Sequence, residues 1–219
     1  MSARRLPLVA FDRVTKFNLE TAPPDLLFGN VSMTLRTDRN TAILGRKETG
    51  RTTLLQMLQG QLRPDAGEVV TNTKFSMLLN TKTYMHPGLN GLQNSRYLAR
   101  LYGLDGDALA RLLVTLPGLK PGAWYMPVRD LDARDRKSME LLLAALMPFE
   151  CYVIDDLEKL EINAFRVLLK FAGARQAGTM FTTFSPKFAR QFADQAAVIA
   201  NRSLYLFDSV AEAERFYDR

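Results

Sequence analysis

The chain has 219 residues, 47% of them hydrophobic and 24% charged, with a formal net charge of +6. That apolar content suffices for one large domain or two small ones, and the Lys and Arg residues are scattered rather than massed, which argues against a nucleic-acid or anionic-lipid binder. One cysteine, Cys151, and one histidine, His86, exclude an internal disulfide and a cysteine–histidine zinc centre.

The basic N-terminal stretch, residues 1–11, lacks the long apolar region and cleavage site of a secretory leader. Nowhere do eighteen apolar residues run together, so the chain itself is not expected to cross a membrane. Residues 6–14 and 26–35 alternate loosely between apolar and polar and predict two strands on either side of a Pro23-Pro24 break. Two roles fit Phe17 at the end of the first strand: stacking on a purine base, or simple packing.

Residues 41–67, TAILGRKETGRTTLLQMLQGQLRPDAG, are ordered as strand, glycine loop, helix and turn. Gly45 and Gly50 have the spacing of a phosphate-binding loop, G-x-x-x-x-G-K-[ST], in which glycines let backbone amides converge on phosphate oxygens and the helix start adds positive potential. Arg51 stands where the pattern has Lys, and Thr52 keeps the hydroxyl that ligates magnesium in such loops. The helix is predicted over 52–59, closed by Gly60, with a turn at 63–67 leading into a strand at 68–71.

Further on, 92–101, 108–116 and 136–146 have helical periodicity, punctuated by Gly103, Pro117, Gly118, Pro121 and Gly122. Residues 151–154 predict a buried strand that ends in Asp155 and Asp156. A core-facing helix follows over 160–172, then a strand over 180–183, terminal helices over 187–194 and 210–217, and short strands over 197–200 and 203–207.

LLQMLQGQLRPDAGEV after the glycine loop resembles the ATPase domain of ATP-binding cassette (ABC) transporters. Met85-His86-Pro87-Gly88-Leu89-Asn90-Gly91, the RYLARLYG that follows it, and Tyr125-Met126-Pro127-Val128 are similar to segments of the capsular and O-antigen polysaccharide-export branch. The resemblance covers essentially all of residues 1–219 and implies a single P-loop NTPase-like α/β domain. Its expected architecture is a mostly parallel core sheet, a small antiparallel sheet and a helical insertion over about 86–135.

The resemblance also implies site roles. Phe17, Gly45, Thr49, Gly50, Arg51, Thr52 and Thr53 fall at the nucleotide-binding positions, and Thr52 and Asp155 at the magnesium-holding ones. Asp156 replaces the glutamate that polarises the attacking water; its carboxylate is one methylene shorter, an impairment for a general base. The signature stretch that faces a partner's γ-phosphate is here Leu131-Asp132-Ala133-Arg134-Asp135, which also fits an acidic helix cap and first turn. Phe184 takes the place of the switch histidine and has no hydrogen-bonding group, and 159–162 lacks the family's turn. His86 belongs to the export-type segment, with no cluster of other ligands around it.

These residues lead us to expect a catalytically impaired ABC-type subunit of a polysaccharide exporter, structural or regulatory, with weak or no binding of ATP and Mg2+. Its expected partners are a second ABC ATPase-like subunit, identical or not, and a membrane permease at the cytoplasmic face of the inner membrane, with no nucleic acid. The alternative is a divergent but active ATPase that uses Arg51, Asp155 and Asp156.

Overall fold

The computed structural model describes residues 6–79 and 84–218; the first five residues of the basic N-terminal stretch lie outside them. The chain divides into two compact units: one formed by the chain up to Leu78, Glu150–Glu158 and the part from Ala177 on, the other by Leu79–Phe149 and Lys159–Gln176.

In the first unit, β1 (Leu8–Asn18) lies between β2 (Asp25–Arg36) and β4 (Ala66–Thr71) in an antiparallel sheet. The larger sheet has the order β5 (Phe75–Leu79), β6 (Cys151–Ile154), β7 (Gly178–Thr183), β3 (Asn40–Leu44), β8 (Gln195–Ala200), β9 (Ser203–Phe207). The β3–β7, β3–β8 and β6–β7 pairs are parallel, and β8 pairs antiparallel with β9 (Ser203–Phe207). Strands β6 (Cys151–Ile154) and β7 are buried at every position, as expected for strands covered on both faces. Helix α1 (Arg51–Leu58) adds Leu54, Leu55, Met57 and Leu58 to a core shared with Phe28, Ile43 and Val153. Cys151 is part of that core, where burial pushes its thiol up, so it stays protonated.

The first strand runs four residues further than its alternation suggests. Val9 and Phe11 are buried, and after them Val14 and Lys16; the β1–β2 pairing shifts register between Phe11 and Val14, where Arg13 has φ 49°, and again on each side of Lys16. One inserted residue reverses the in-out phase of everything after it. Lys16 is buried and Phe17, beside it, is partly exposed. Strand β5 (Phe75–Leu79) is absent from the sequence reading altogether.

The second unit holds α2 (Gly91–Leu101), α3 (Gly106–Leu113), α4 (Ala133–Leu146) and α5 (Ile162–Ala174). Asn90 and Gln93 form a reciprocal capping box at the start of α2. The Asn94 amide reaches back to the carbonyls of His86, Leu89 and Asn90, and the Gly88 amide donates to His86 Nδ1 at 3.2 Å. His86 thus serves the turn it sits in. Helix α3 stops three residues short of the predicted end because Thr115 and Leu116 tighten to i−3 bonds before Pro117. Helix α4 starts at Ala133, three residues before the periodicity begins, because Asp132 caps it by accepting from the Asp135 amide at 2.7 Å. The chain closes in the first unit with α6 (Pro186–Phe192) and α7 (Val210–Tyr217).

Candidate functional site

Strand β3 ends at Leu44, and the glycine loop begins at its carboxyl end, between two parallel neighbours; that is where ligands bind in open α/β sheets. Gly50 caps α1 at φ 90°, a left-handed conformation in which a side chain is strained, and a Cβ there would touch the Phe28 ring at 3.0 Å. The Thr49 hydroxyl donates to the Arg46 carbonyl at 2.8 Å and lies 2.6 Å from where a Gly45 Cβ would be. The loop is closed on itself by these contacts. Glu48 also adopts a left-handed conformation, φ 63°, a cost of about 1–2 kcal/mol for a non-glycine residue.

Strand β6 delivers Asp155 and Asp156. Asp155 is 5% exposed and accepts from the Thr52 and Thr182 hydroxyls, each at 2.5 Å. Thr182 comes from β7, and its hydroxyl oxygen also accepts from the Asp156 amide at 2.8 Å. A small hydroxyl thus ties both acids to the sheet. Asp156, at φ 53°, turns its carboxylate towards α1 and pairs with Arg51 Nη2 at 3.3 Å. The two side chains are 12% and 23% exposed for Arg51 and Asp156 respectively. Arg51 Nη1 is buried with no hydrogen-bond partner among the described residues.

A cleft of about 480 Å3 opens beside this pair, lined by Phe17, Glu48, Gly50, Arg51, Thr52, Thr53 and Asp156 among others, within the size range of small-ligand sites. Phe17, 36% exposed, presents its ring there. Gly45, Thr49 and Asp155 do not line the cleft; the first two shape the loop, and Asp155 sits behind Thr52. The Thr52 hydroxyl and the Asp155 carboxylate are hard oxygen donors already in contact, and they fit a magnesium ion. Among the described residues no group of three or more His, Cys, Asp or Glu could hold a metal, so phosphate and water would have to complete its shell.

Two residues of the site have no sequence signal. Asp65, in the turn before β4, accepts from the Phe17 amide at 2.7 Å and from Lys16 Nζ at 3.0 Å. It fixes the strand end that carries the ring. The Phe17 amide, more than the Lys16 ammonium, holds its carboxyl below the usual range. A lowered carboxyl pKa gives stability that is complete above the unfolded value, about 3.9, and is lost as pH falls through the folded value. Acidification below about pH 4 is therefore expected to shift the Phe17 amide resonance before global unfolding, and Asp65→Asn to abolish that early step; a resonance that moves only with global unfolding would contradict it.

Glu158 is the second. Its Oε1 accepts from the Thr183 hydroxyl, from the Phe184 amide at 2.9 Å and from the Ser185 amide at 3.2 Å. The turn at Phe184, read from the sequence as replacing the family's switch histidine, is thus held by a carboxylate two residues past Asp156, while the Phe184 ring points outward, 53% exposed. Glu158→Ala is expected to cost about 2 kcal/mol, a melting-point loss of about 4–8 °C, and to speed hydrogen exchange at Phe184 and Ser185. Unchanged protection of those amides would show that the clamp holds nothing.

In the other unit, the stretch at signature position is a helix cap. Asp132 is engaged with the Asp135 amide, and Glu161, in the aberrant turn, caps α5 through the Ala164 amide at 2.8 Å.

Comparison with known proteins gives three kinds of match. The model of the family described as ABC transporter matches residues 28–96. The chain is 24% identical to the ATP-binding protein BexA of Haemophilus influenzae, over 86% of this chain and 88% of that protein. It is 22% identical to the capsule polysaccharide export ATP-binding protein CtrD of Neisseria meningitidis serogroup B, over 96% and 99%, and 21% identical to the polysialic acid transport ATP-binding protein KpsT of Escherichia coli, over 89% and 88%. Among solved structures, an ATP binding subunit of an ABC transporter superposes with a TM-score of 0.77 at 15% identity, covering 97% of this chain and 100% of the other. The dimeric ATP-binding cassette MJ0796 bound to ADP and Pi superposes with a TM-score of 0.73 at 15% identity, covering 90% and 96%.

Proposed function

We propose, from the premise that this chain has the ATPase-domain fold of ABC transporters and homologues among capsule-export ATP-binding proteins, that it serves a polysaccharide exporter as a catalytically impaired subunit. The observation that carries the impairment is the Arg51–Asp156 pair. The cation that would meet phosphate is bonded to the acid that would activate water, so each group occupies the other. A carboxylate engaged by a guanidinium is a poor proton acceptor, and a guanidinium engaged by a carboxylate is a poor phosphate clamp. Asp132, a helix cap here, supports the same reading: with residues 131–135 in the signature role that the resemblance implies, carboxylates would stand where a neighbouring subunit's phosphate approaches.

The role left to such a subunit is structural or regulatory. It would pair with a second ABC ATPase-like subunit and sit against a permease at the cytoplasmic face of the inner membrane. No helix among the described residues is long and apolar enough to cross a membrane, so attachment would come through the permease. The test is co-expression with a capsule-export permease and isolation of detergent-solubilised membranes. Recovery of the chain with the permease, unchanged by Asp155→Asn, is expected; recovery in the soluble fraction alone would overturn the assignment.

A divergent active ATPase remains the second reading, favoured by the Thr52–Asp155 contact, which keeps a magnesium-competent pair together. Magnesium-dependent phosphate release separates the two.

A further inference from the structure

We propose that the cleft beside Arg51 selects a nucleoside diphosphate over the triphosphate, with Asp156 as the residue that discriminates. This rests on reading the cleft as a nucleotide site and adds which nucleotide it holds.

The charges lining the cleft support the choice. Lys16 and Arg51 are its cations, and both are committed: Lys16 to Asp65 at 3.0 Å and Arg51 to Asp156 at 3.3 Å. Facing the same space are Glu20, Glu48 and Asp156. A third phosphate that reached for Arg51 Nη2 would have to displace Asp156 and then lie beside the displaced carboxylate, and like charges a few ångströms apart repel strongly in a partly desolvated cleft. Glu48 adds to the repulsion from the loop side.

The inner phosphates meet a different wall. They fall at the start of α1, where Gly50, Thr52 and Thr53 line the cleft. The base has the Phe17 ring, on a strand end whose amide donates to Asp65. Arg51 divides its guanidinium, with Nη2 engaged and Nη1 buried and unpartnered. Its Nη1 group is therefore left to serve one phosphate in the cleft that Arg51 lines while Asp156 stays in place. The arrangement suits a ligand with one fewer anionic group than ATP.

Isothermal titration of MgADP and MgATP into the wild type, Asp156→Asn and Glu48→Gln tests it. The wild type is expected to bind MgADP at least about tenfold more tightly than MgATP, and Asp156→Asn to tighten MgATP about tenfold while changing MgADP by less than about threefold. Should Asp156→Asn lower the thermal stability, Glu48→Gln on the exposed loop serves instead and is also expected to tighten MgATP more than MgADP. Equal or tighter MgATP binding by the wild type, an unchanged ratio in both variants, or no binding of either nucleotide would overturn the proposal. Phosphate release measured on the same samples keeps the two readings apart: turnover would refute the impaired subunit, whereas tight MgATP binding without turnover would refute the selectivity alone.

Discussion

Gly67→Val is expected to cost about 4 kcal/mol or more, a fall of about 8–16 °C in melting temperature for a chain of this size. Gly67 has φ 76°, and a Cβ there would fall 2.3 Å from the carbonyl oxygens of Asp12 and Arg13. Both obstacles are backbone on the neighbouring strand, in the stretch where the β1–β4 register shifts between Asp12 and Thr15, so no rotamer change relieves the clash. The strands must part instead. That takes with it the turn holding Asp65, two residues back, and with Asp65 the anchoring of Phe17. The variant should therefore lose nucleotide binding beyond what its stability loss explains. The control is Ala66→Val, exposed and next in the strand, expected within about 0.5 kcal/mol of the wild type. A loss at Gly67 of less than about 3 °C would mean that the bulge relaxes freely.

Arg51 and Asp156 are expected to be coupled by about 1–2 kcal/mol in a double-mutant cycle of Arg51→Met and Asp156→Asn followed by urea denaturation. The figure is kept below that of a fully buried pair because both side chains retain some exposure. Asparagine tolerates the left-handed backbone at Asp156 and removes only the charge, and methionine keeps the apolar stem of Arg51 that packs over Gly45. Asp156→Asn alone should cost more than Arg51→Met alone, because it strands the more buried of the two charges. Additive single effects would show that the pair contributes no mutual stabilisation.

The glycine loop was legible because its chemistry is local: Gly45, Gly50, Thr52 and the apolar runs on either side lie within twenty residues, and each local preference agrees with the fold. The N-cap role of Asp132 was legible for the same reason. The path of β1 was not, since register shifts at Arg13 and on each side of Lys16 break the period-two pattern along a strand that runs to Asn18. Strand β5 was missed because FSMLL follows another strand with no distinct turn signal. Long-range polar contacts were the least accessible. Glu158 meets Phe184 across 26 positions and Asp65 meets Phe17 across 48, and no spacing rule connects them. The substitutions at Arg51 and Asp156 were visible as two separate departures, but their contact, 105 positions apart in sequence, was not. Two independent losses become one internal pair only when the strand carrying Asp156 is laid beside the helix carrying Arg51.

The central claim is that the fold of an ATPase domain is kept here while turnover is not, and phosphate release from MgATP tests it most directly. The purified chain is compared with Asp155→Asn, in the absence and presence of magnesium. The account predicts the same background rate in all four conditions. Magnesium-dependent release that Asp155→Asn abolishes would contradict it and make Asp156, despite its bond to Arg51, a working general base.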